Sequence, residues 1–383
     1  MNRGFDVAVV GAGIVGLGAA YAAVRRGQSV VVVERGADAA GATVRNFGHL
    51  CIGAQTGLAR EFADASRPLW LRLARDAGFW VRESGTLVIA RHHDELSLLE
   101  SAVREGGIEL LDARELEARV SVAPGISVGG ARIAPDLQTH PRMAAAAIRA
   151  HLEALGVEFR TRTSVGAVRT GRVETTRGPI HAGLVVVAVN HDLDQLLPEL
   201  AESAGVVRCG LDMLRVRAEA ASVPAPLLTG WSLVRYGRFA GLPEATAVRA
   251  RLHAERPDLA ALDLNQMYTQ LPDGSVIVGD THYKGIGIAP FQAEASADLL
   301  LEEFEALFGA RPQVLERWQG VYASGPRDFL IAEPEPDVLA LAATTGIGMT
   351  TGLGLADTVL ASRLGDGAAA GTATPTTLEG LRR

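Results

Sequence analysis

The sequence predicts an α/β fold: a doubly wound, nucleotide-binding domain interrupted by a second, α+β domain built on a mixed or antiparallel sheet. Three observations predict it. Residues 6–34, DVAVVGAGIVGLGAAYAAVRRGQSVVVVE, read as strand, glycine turn, helix, strand. Val185 to Val189 is a second wholly apolar run of the buried parallel type. The stretch LALAATTGIGMTTGLGLADTVLASRL near the C-terminus repeats the order strand, glycine turn, helix. Between these lie segments that alternate as short strands, so the chain leaves the nucleotide domain twice and returns. The expected division is residues 1–84, 135–205 and 320–383 for the nucleotide domain, and 85–134 and 206–319 for the second domain.

The first stretch organises the rest. Val7 to Val10 suits a strand buried on both faces. Gly11, Gly13 and Gly16 form G-x-G-x-x-G, the Rossmann-type fingerprint. The first glycine allows the tight turn, the second lets backbone approach a pyrophosphate, and the third lets helix pack on strand. The helix from Ile14 to Arg26 turns its free N–H groups toward the pyrophosphate. Arg25 and Arg26 complement its C-terminal end, and Gly27 stops it. Glu34 ends the second strand, where a carboxylate accepts hydrogen bonds from a ribose diol. A membrane span over Val7 to Val24 is rejected: its glycines and the following arginine pair fit a βα turn better, and no cleavage site is seen.

Further along, residues 35–55 are rich in Gly and small residues and read as a loop lying against something. Glu61 to Ala77 has helical apolar spacing, and Gly85 to Ala90 reads as a strand. Asp94 to Arg104 and Ala113 to Arg119 read as short helices; His92 and His93 fit a solvated cap, with no third metal ligand in sight. Pro141 opens a helix that Gly156 ends. Short strands follow, then Val206 to Arg217, which leads into the second domain. Glu244 to Glu255 is a helix. Met267 to Gln270 and Val276 to Gly279 flank the turn Pro272-Asp273-Gly274. Ala293 to Gly309 is an amphipathic helix with Leu300, Phe304, Leu307 and Phe308 on one face. Beyond Gly365 the Ala, Gly, Thr and Pro content predicts a frayed tail.

Composition narrows the function. The 383 residues allow two domains with an extensive core. Net charge is −7 with no basic block, which argues against nucleic acid and anionic membranes as partners. Two cysteines, Cys51 and Cys209, exclude a disulfide framework and a zinc cluster, and no metal site is expected. A cytoplasmic location is the simplest expectation. Lys284 is the sole lysine, against 36 arginines.

The glycine turn alone does not separate nicotinamide from flavin. Three features favour FAD. The motif begins at residue 6, with no room for a preceding substrate domain. Gly346, Gly348 and Gly352 make a second glycine turn at a helix start, able to lay backbone against a ring system and aim a helix dipole at it. The two excursions build a strand-rich region able to cap a flavin.

At this point the chain resembles the superfamily of FAD-dependent D-amino acid, glycine and sarcosine oxidases, over nearly its whole length to about residue 365. A narrower resemblance rests on VRNFGH (44–49), RCGLDMLR (208–215), SLVRYGRFAGLP (232–243), GDTHYKG (279–285), ERWQGVYAS (316–324) and TTGIGMTTGLGLA (344–356). These are similar to the clade associated with phosphonate breakdown, proposed to oxidise 2-aminoethylphosphonate or its N-methyl or hydroxy relatives. The resemblance implies a D-amino acid oxidase-like fold and non-covalent FAD. It implies a small amine substrate, and oxygen or another electron acceptor. It also implies hydride transfer from the amine-bearing carbon to flavin N5, giving a phosphonoacetaldehyde-type product. The alternative is a small amino acid or secondary amine as substrate: glycine, sarcosine or a D-amino acid.

The implied cofactor contacts are Gly11, Ala12, Gly13, Ile14, Val15 and Gly16 in the first turn and Glu34 and Arg35 after the second strand. Thr43, Arg45 and Asn46 follow in the loop, then Val165, and then Gly346, Gly348, Met349 and Thr350. The amino-acid oxidases hold a substrate carboxylate with arginine after W-x-G and in the last glycine turn. Here Trp318-Gln319-Gly320-Val321 is followed by Tyr322, and residues 346–351 contain no arginine. A phosphonate, with three oxygens and close to two charges, wants several donors. Arg45, Tyr283, Lys284 and Trp318 are the expected substrate contacts, and His49, His282 and Tyr322 the expected catalytic groups. Asp280 is positioned to orient His282 or the amine. Arg45 equally suits an FAD phosphate, and Lys284 equally suits solvent. The lysine that sarcosine oxidases hold over the flavin is replaced at about Ile277, which leaves oxidase and dehydrogenase both open.

Overall fold

The computed structural model describes residues 4–365; the tail expected to fray lies outside the described residues. The strand Phe5–Val10 (β1), the helix Ile14–Val24 (α1) and the strand Val30–Val33 (β2) form the expected opening unit. β1 pairs in parallel with β2 on one side and with Ile180–Val187 on the other. Beyond that lies Val338–Thr345, also parallel to Ile180–Val187. The continuous Val, Ala and Leu runs of these strands follow from burial on both faces. Val7 and Val9 face a layer of helices that includes α1, Gly57–Ala77, Pro141–Ala154 and Gly348–Leu364. Ala8 and Val10 face the opposite layer, with Val168, Val173 and Leu193.

The second half has its own core, formed by Thr86–Ala90, Val207–Arg217, Met267–Gln270, Val276–Gly279 and the helix Glu294–Phe308. Its helix buries Leu300, Phe304, Leu307 and Phe308, as the spacing predicts.

The two halves share one sheet. The connecting element is the 23-residue strand Gln313–Glu335. Its first part pairs antiparallel with Val207–Arg217, and its later part with Val338–Thr345. The expected boundary between residues 319 and 320 therefore falls within a strand, and no linker separates the halves there. The loop at residues 35–55 is more ordered than its composition suggests: Ala42–Val44 form a 3₁₀ turn, and His49–Leu50 pair with Leu137–Thr139. His92 precedes the helix His93–Ala102 without a side-chain capping bond. No helix among the described residues is long and apolar enough to cross a membrane.

Candidate active site

A cavity of about 1130 Å³ runs between the two halves. It lies just above the roughly 300–1,000 Å³ that small-ligand sites occupy, which suits a long ligand. One end is made largely of backbone. Gly11 has φ +102, and a Cβ there would lie 2.6 Å from the Ala188 carbonyl oxygen. A Cβ on Gly16 would lie 2.0 Å from the Gly11 oxygen, so the turn closes only with glycine at both positions. Gly13, Ile14 and Val15 line the cavity; Ala12 and Gly16 support them from behind. Glu34 holds the turn: its carboxylate accepts from Ala12 N–H at 3.0 Å and Gly36 N–H at 2.8 Å, with lone pairs left for a diol.

The loop at residues 42–48 covers this turn. Thr43 Oγ1 accepts from Ile14 N–H at 2.8 Å. Asn46 braces the loop, donating to Ala42 and Thr43 carbonyls and accepting from Gly48 N–H. Val165 lines the same end, and Arg35 pairs with Asp192 at 2.6 Å near its rim. Opposite, Gly346 at φ +78 turns the chain against the Tyr322 ring and into the helix Gly348–Leu364. Gly348, Met349 and Thr350 line the cavity there. Neither this helix nor α1 carries an acid in its first turn, so both positive ends reach the cavity uncompensated. Two such ends beside a glycine cradle fit the pyrophosphate and the electron-poor ring of a flavin dinucleotide.

The other end is built from side chains. Asp280 and His282 follow the strand Val276–Gly279 and are both buried. Asp280 exchanges backbone hydrogen bonds with Asn265, and its Oδ1 accepts from Asn265 Nδ2 at 2.9 Å. Burial raises the Asp280 carboxyl to about 7, despite the opposing pull of Arg235 and the Asn265 hydrogen bond. His282 Nδ1 lies 2.9 Å from the Asp263 carbonyl oxygen, and its Nε2 lies 3.5 Å from Asp280 Oδ2. Burial, with Arg235 nearby, pushes the imidazole well below its usual range, so His282 is neutral. Tyr322 meets it edge to face, with ring centroids 6.4 Å apart. Burial raises the Tyr322 phenol, which stays protonated. His282, Tyr322, Arg45 and the exposed Lys284 all line the cavity.

Three expectations need correcting. Tyr283 does not line the cavity: side chains alternate along the strand Tyr283–Gly285, and its hydroxyl meets Asp212 and Gln319 instead. Trp318 is also absent from the lining. It stacks under Arg142, and its indole N–H points to the Arg45 carbonyl. His49 reaches the cavity wall, but both its nitrogens already have protein partners. Nε2 lies 2.6 Å from Thr86 Oγ1 and Nδ1 lies 3.1 Å from Met267 Sδ. Thr86 in turn donates to Asp136, which accepts from Gly53 N–H. His49, Cys51 and Asp136 place ligand atoms within 4.8 Å of one another, but this buried knot is already hydrogen-bonded. Arg45 donates to the Gln319 carbonyl, which anchors its loop. Ile277 is buried in its strand and lines no part of the main cavity.

Sequence reasoning missed Arg235, Arg249 and Asn265. Arg235 pairs with Asp263. Arg249 lies on the helix Glu244–Glu255 and donates to the Val234 carbonyl; among the described residues it has no carboxylate partner. One turn on, His253 stacks on Trp231, and both line the cavity. Arg235 stands within a quoted motif, but no spacing rule marks any of the three residues.

A family model described as "FAD dependent oxidoreductase" matches residues 6–362. Comparison with curated proteins finds no significant match. Among solved structures, glycine oxidase from Geobacillus kaustophilus is similar at TM-score 0.77 and 19% identity, covering 98% of this chain and 99% of that one. L-proline dehydrogenase from P. horikoshii gives TM-score 0.75 at 18% identity, covering 94% and 93%. L-amino acid deaminase from Proteus vulgaris, with its specific insertion deleted, gives 0.75 at 18%, covering 99% and 94%. Those likenesses establish the fold. With the family match over nearly the whole chain and a cavity whose glycine cradle and helix ends fit the cofactor, the chain belongs to the DAO family of FAD-dependent oxidoreductases.

Proposed function

We propose that this enzyme oxidises a small aminophosphonate, 2-aminoethylphosphonate or its N-methyl or hydroxy relative, to a phosphonoacetaldehyde-type product. FAD held by the glycine cradle would supply the hydride acceptor for the carbon that carries nitrogen. The chain's own residues bind, orient and desolvate the substrate. The observation that carries the reading is the charge balance at the side-chain end of the cavity. Arg249 and Lys284 line it with no ion pair among the described residues, while Arg235 is neutralised by Asp263. Free cations there suit an anion that is close to doubly charged. Where the amino-acid oxidases place a carboxylate-binding arginine, this chain presents the neutral phenol of Tyr322 and an arginine-free turn.

A second reading, oxidation of a small amino acid or secondary amine, draws on one feature: the Arg249 guanidinium offers a fork that also fits a planar carboxylate. Anaerobic mixing of the holoenzyme with 2-aminoethylphosphonate, its N-methyl form, glycine, sarcosine and D-alanine separates the two. Loss of visible flavin absorbance with the phosphonates alone is the expected result. Loss with the carboxylates alone would replace the first reading with the second.

A further inference from the structure

We infer that Asp280, His282 and Asn265 form an ammonium subsite in which Asp280 takes one proton from the substrate nitrogen before the hydride leaves. This rests on the reading of the substrate as an amine. It adds a catalytic base and two positioning residues to that reading.

The geometry is a shortage of donors. The Asp263 carbonyl can only accept, so His282 Nδ1 must carry the hydrogen. Nε2 is then a bare lone pair, facing Asp280 Oδ2 at 3.5 Å. Asn265 spends its amide N–H on Asp280 Oδ1, and its own Oδ1 is buried with no partner. With Asp280 ionised, these cavity-lining residues carry two acceptors without a donor, His282 Nε2 facing Asp280 Oδ2 and the buried Asn265 Oδ1. A buried acceptor left without a donor costs about 1–3 kcal/mol, so the cluster is incomplete as it stands. A substrate ammonium brings three N–H donors and a positive charge. The reciprocal backbone hydrogen bonds between Asn265 and Asp280, 2.6 and 2.9 Å long, fix the two side chains relative to each other.

Only one of the three groups can hold the proton. Asn265 is an amide, and His282 is kept neutral by burial and by Arg235. Asp280 titrates near neutrality. The groups around it are Arg235, Asp263 and His282, together with the phenols of Tyr236 and Tyr322 and the Cys209 thiol; Lys284 adds positive charge near His282. The step is a proton transfer alone. An N–H bond of the ammonium breaks, its electron pair stays on nitrogen, and the proton bonds to a carboxylate oxygen of Asp280. The nitrogen lone pair is then available to form the C=N bond as hydride departs.

The test compares wild type with Asp280→Asn and Asn265→Ala, using the amine that reduces the wild-type flavin. Two readouts are needed: the anaerobic reduction rate from pH 5.5 to 9, and binding of amine-free ethylphosphonate, followed by perturbation of the flavin spectrum. For wild type the rate should rise with pH and level off above about 7, the range to which burial raises Asp280. Asp280→Asn should lose that inflection and slow reduction by roughly 10²–10⁴-fold, the usual worth of a positioned base. Asn265→Ala should weaken binding of the amine but not of ethylphosphonate. An unchanged rate and pH profile in Asp280→Asn overturns the inference. So does an equal loss of ethylphosphonate binding in both variants, which would mark the cluster as structural. Wild-type flavin unmoved by any amine would instead remove the amine reading itself, and the inference with it.

Discussion

The two ends of the cavity are built from different material. The nucleotide end is backbone: glycines at 11, 13, 16, 346 and 348, two helix N-termini, and one carboxylate, Glu34, that holds the turn. The other end, which we propose takes the substrate, is side chain, gathered from Arg235, Arg249, Asn265, Asp280, His282 and Tyr322 on several segments. Backbone sites demand particular residue types at fixed spacing, because only glycine permits the close approach. Side-chain sites demand only that groups converge, and many sequences achieve that. The first kind therefore identifies a cofactor, and the second selects a substrate.

The largest expected effect concerns Asp280. Its carboxyl is ordinary when unfolded and raised to about 7 when folded. The folded protein therefore holds a proton that the unfolded chain releases between these values. Stability falls as pH rises from about 4 to about 7, and the penalty is complete above that. Asp280→Asn removes the penalty, so relative to wild type it should gain up to about 4 kcal/mol on going from pH 4 to pH 8. Denaturant titration of the holoenzyme at both pH values measures this. An equal offset at both would mean that Asp280 is not buried as described.

Next is the backbone end. Gly16→Ala puts a methyl group against the Gly11 carbonyl, which is backbone and cannot swing aside. Strain of roughly 1–3 kcal/mol or more should open the turn. The ratio of flavin to protein absorbance after purification should fall, while substrate-end variants leave it unchanged.

Arg249→Gln should show the reverse pattern. Losing a charged hydrogen bond to the anion costs about 1.5–3 kcal/mol. Ethylphosphonate affinity should therefore drop roughly ten- to a hundredfold, with FAD content intact. Unchanged affinity would shift anion binding to Lys284 and Arg45.

The smallest effect is expected for Tyr283→Phe. The hydroxyl serves Asp212 and Gln319 outside the cavity. KM for the amine should not move, and stability should fall by only about 0.5–1.5 kcal/mol, the worth of a typical hydrogen bond.

This difference also explains what could be read in advance. β1, α1 and β2 follow from apolar runs and glycines, and the helix Glu244–Glu255 and strands Met267–Gln270 and Val276–Gly279 appear where their patterns place them. The long strand Gln313–Glu335 was hidden because Gly320, Gly325, Pro326 and Pro334 interrupt any alternation. Its partners on both sides, not its own pattern, make it a strand. Within GDTHYKG, the motif did not mark which side chains reach the cavity; the buried His282 and the exposed Lys284 line it, and Tyr283 does not. His49 was singled out as a polar group in a flavin-facing loop, yet Thr86 and Asp136, remote in sequence, claim its ring. Arg249 was invisible because nothing in a solvated-looking helix marks a guanidinium that faces a cavity.

The most direct measurement is the second-order rate of anaerobic flavin reduction by 2-aminoethylphosphonate against β-alanine, its carboxylate analogue of equal chain length. If unpaired cations select a nearly dianionic group, the phosphonate should reduce the flavin at least tenfold faster. Equal rates, or a preference for β-alanine, would contradict the assignment of the side-chain end to a phosphonate.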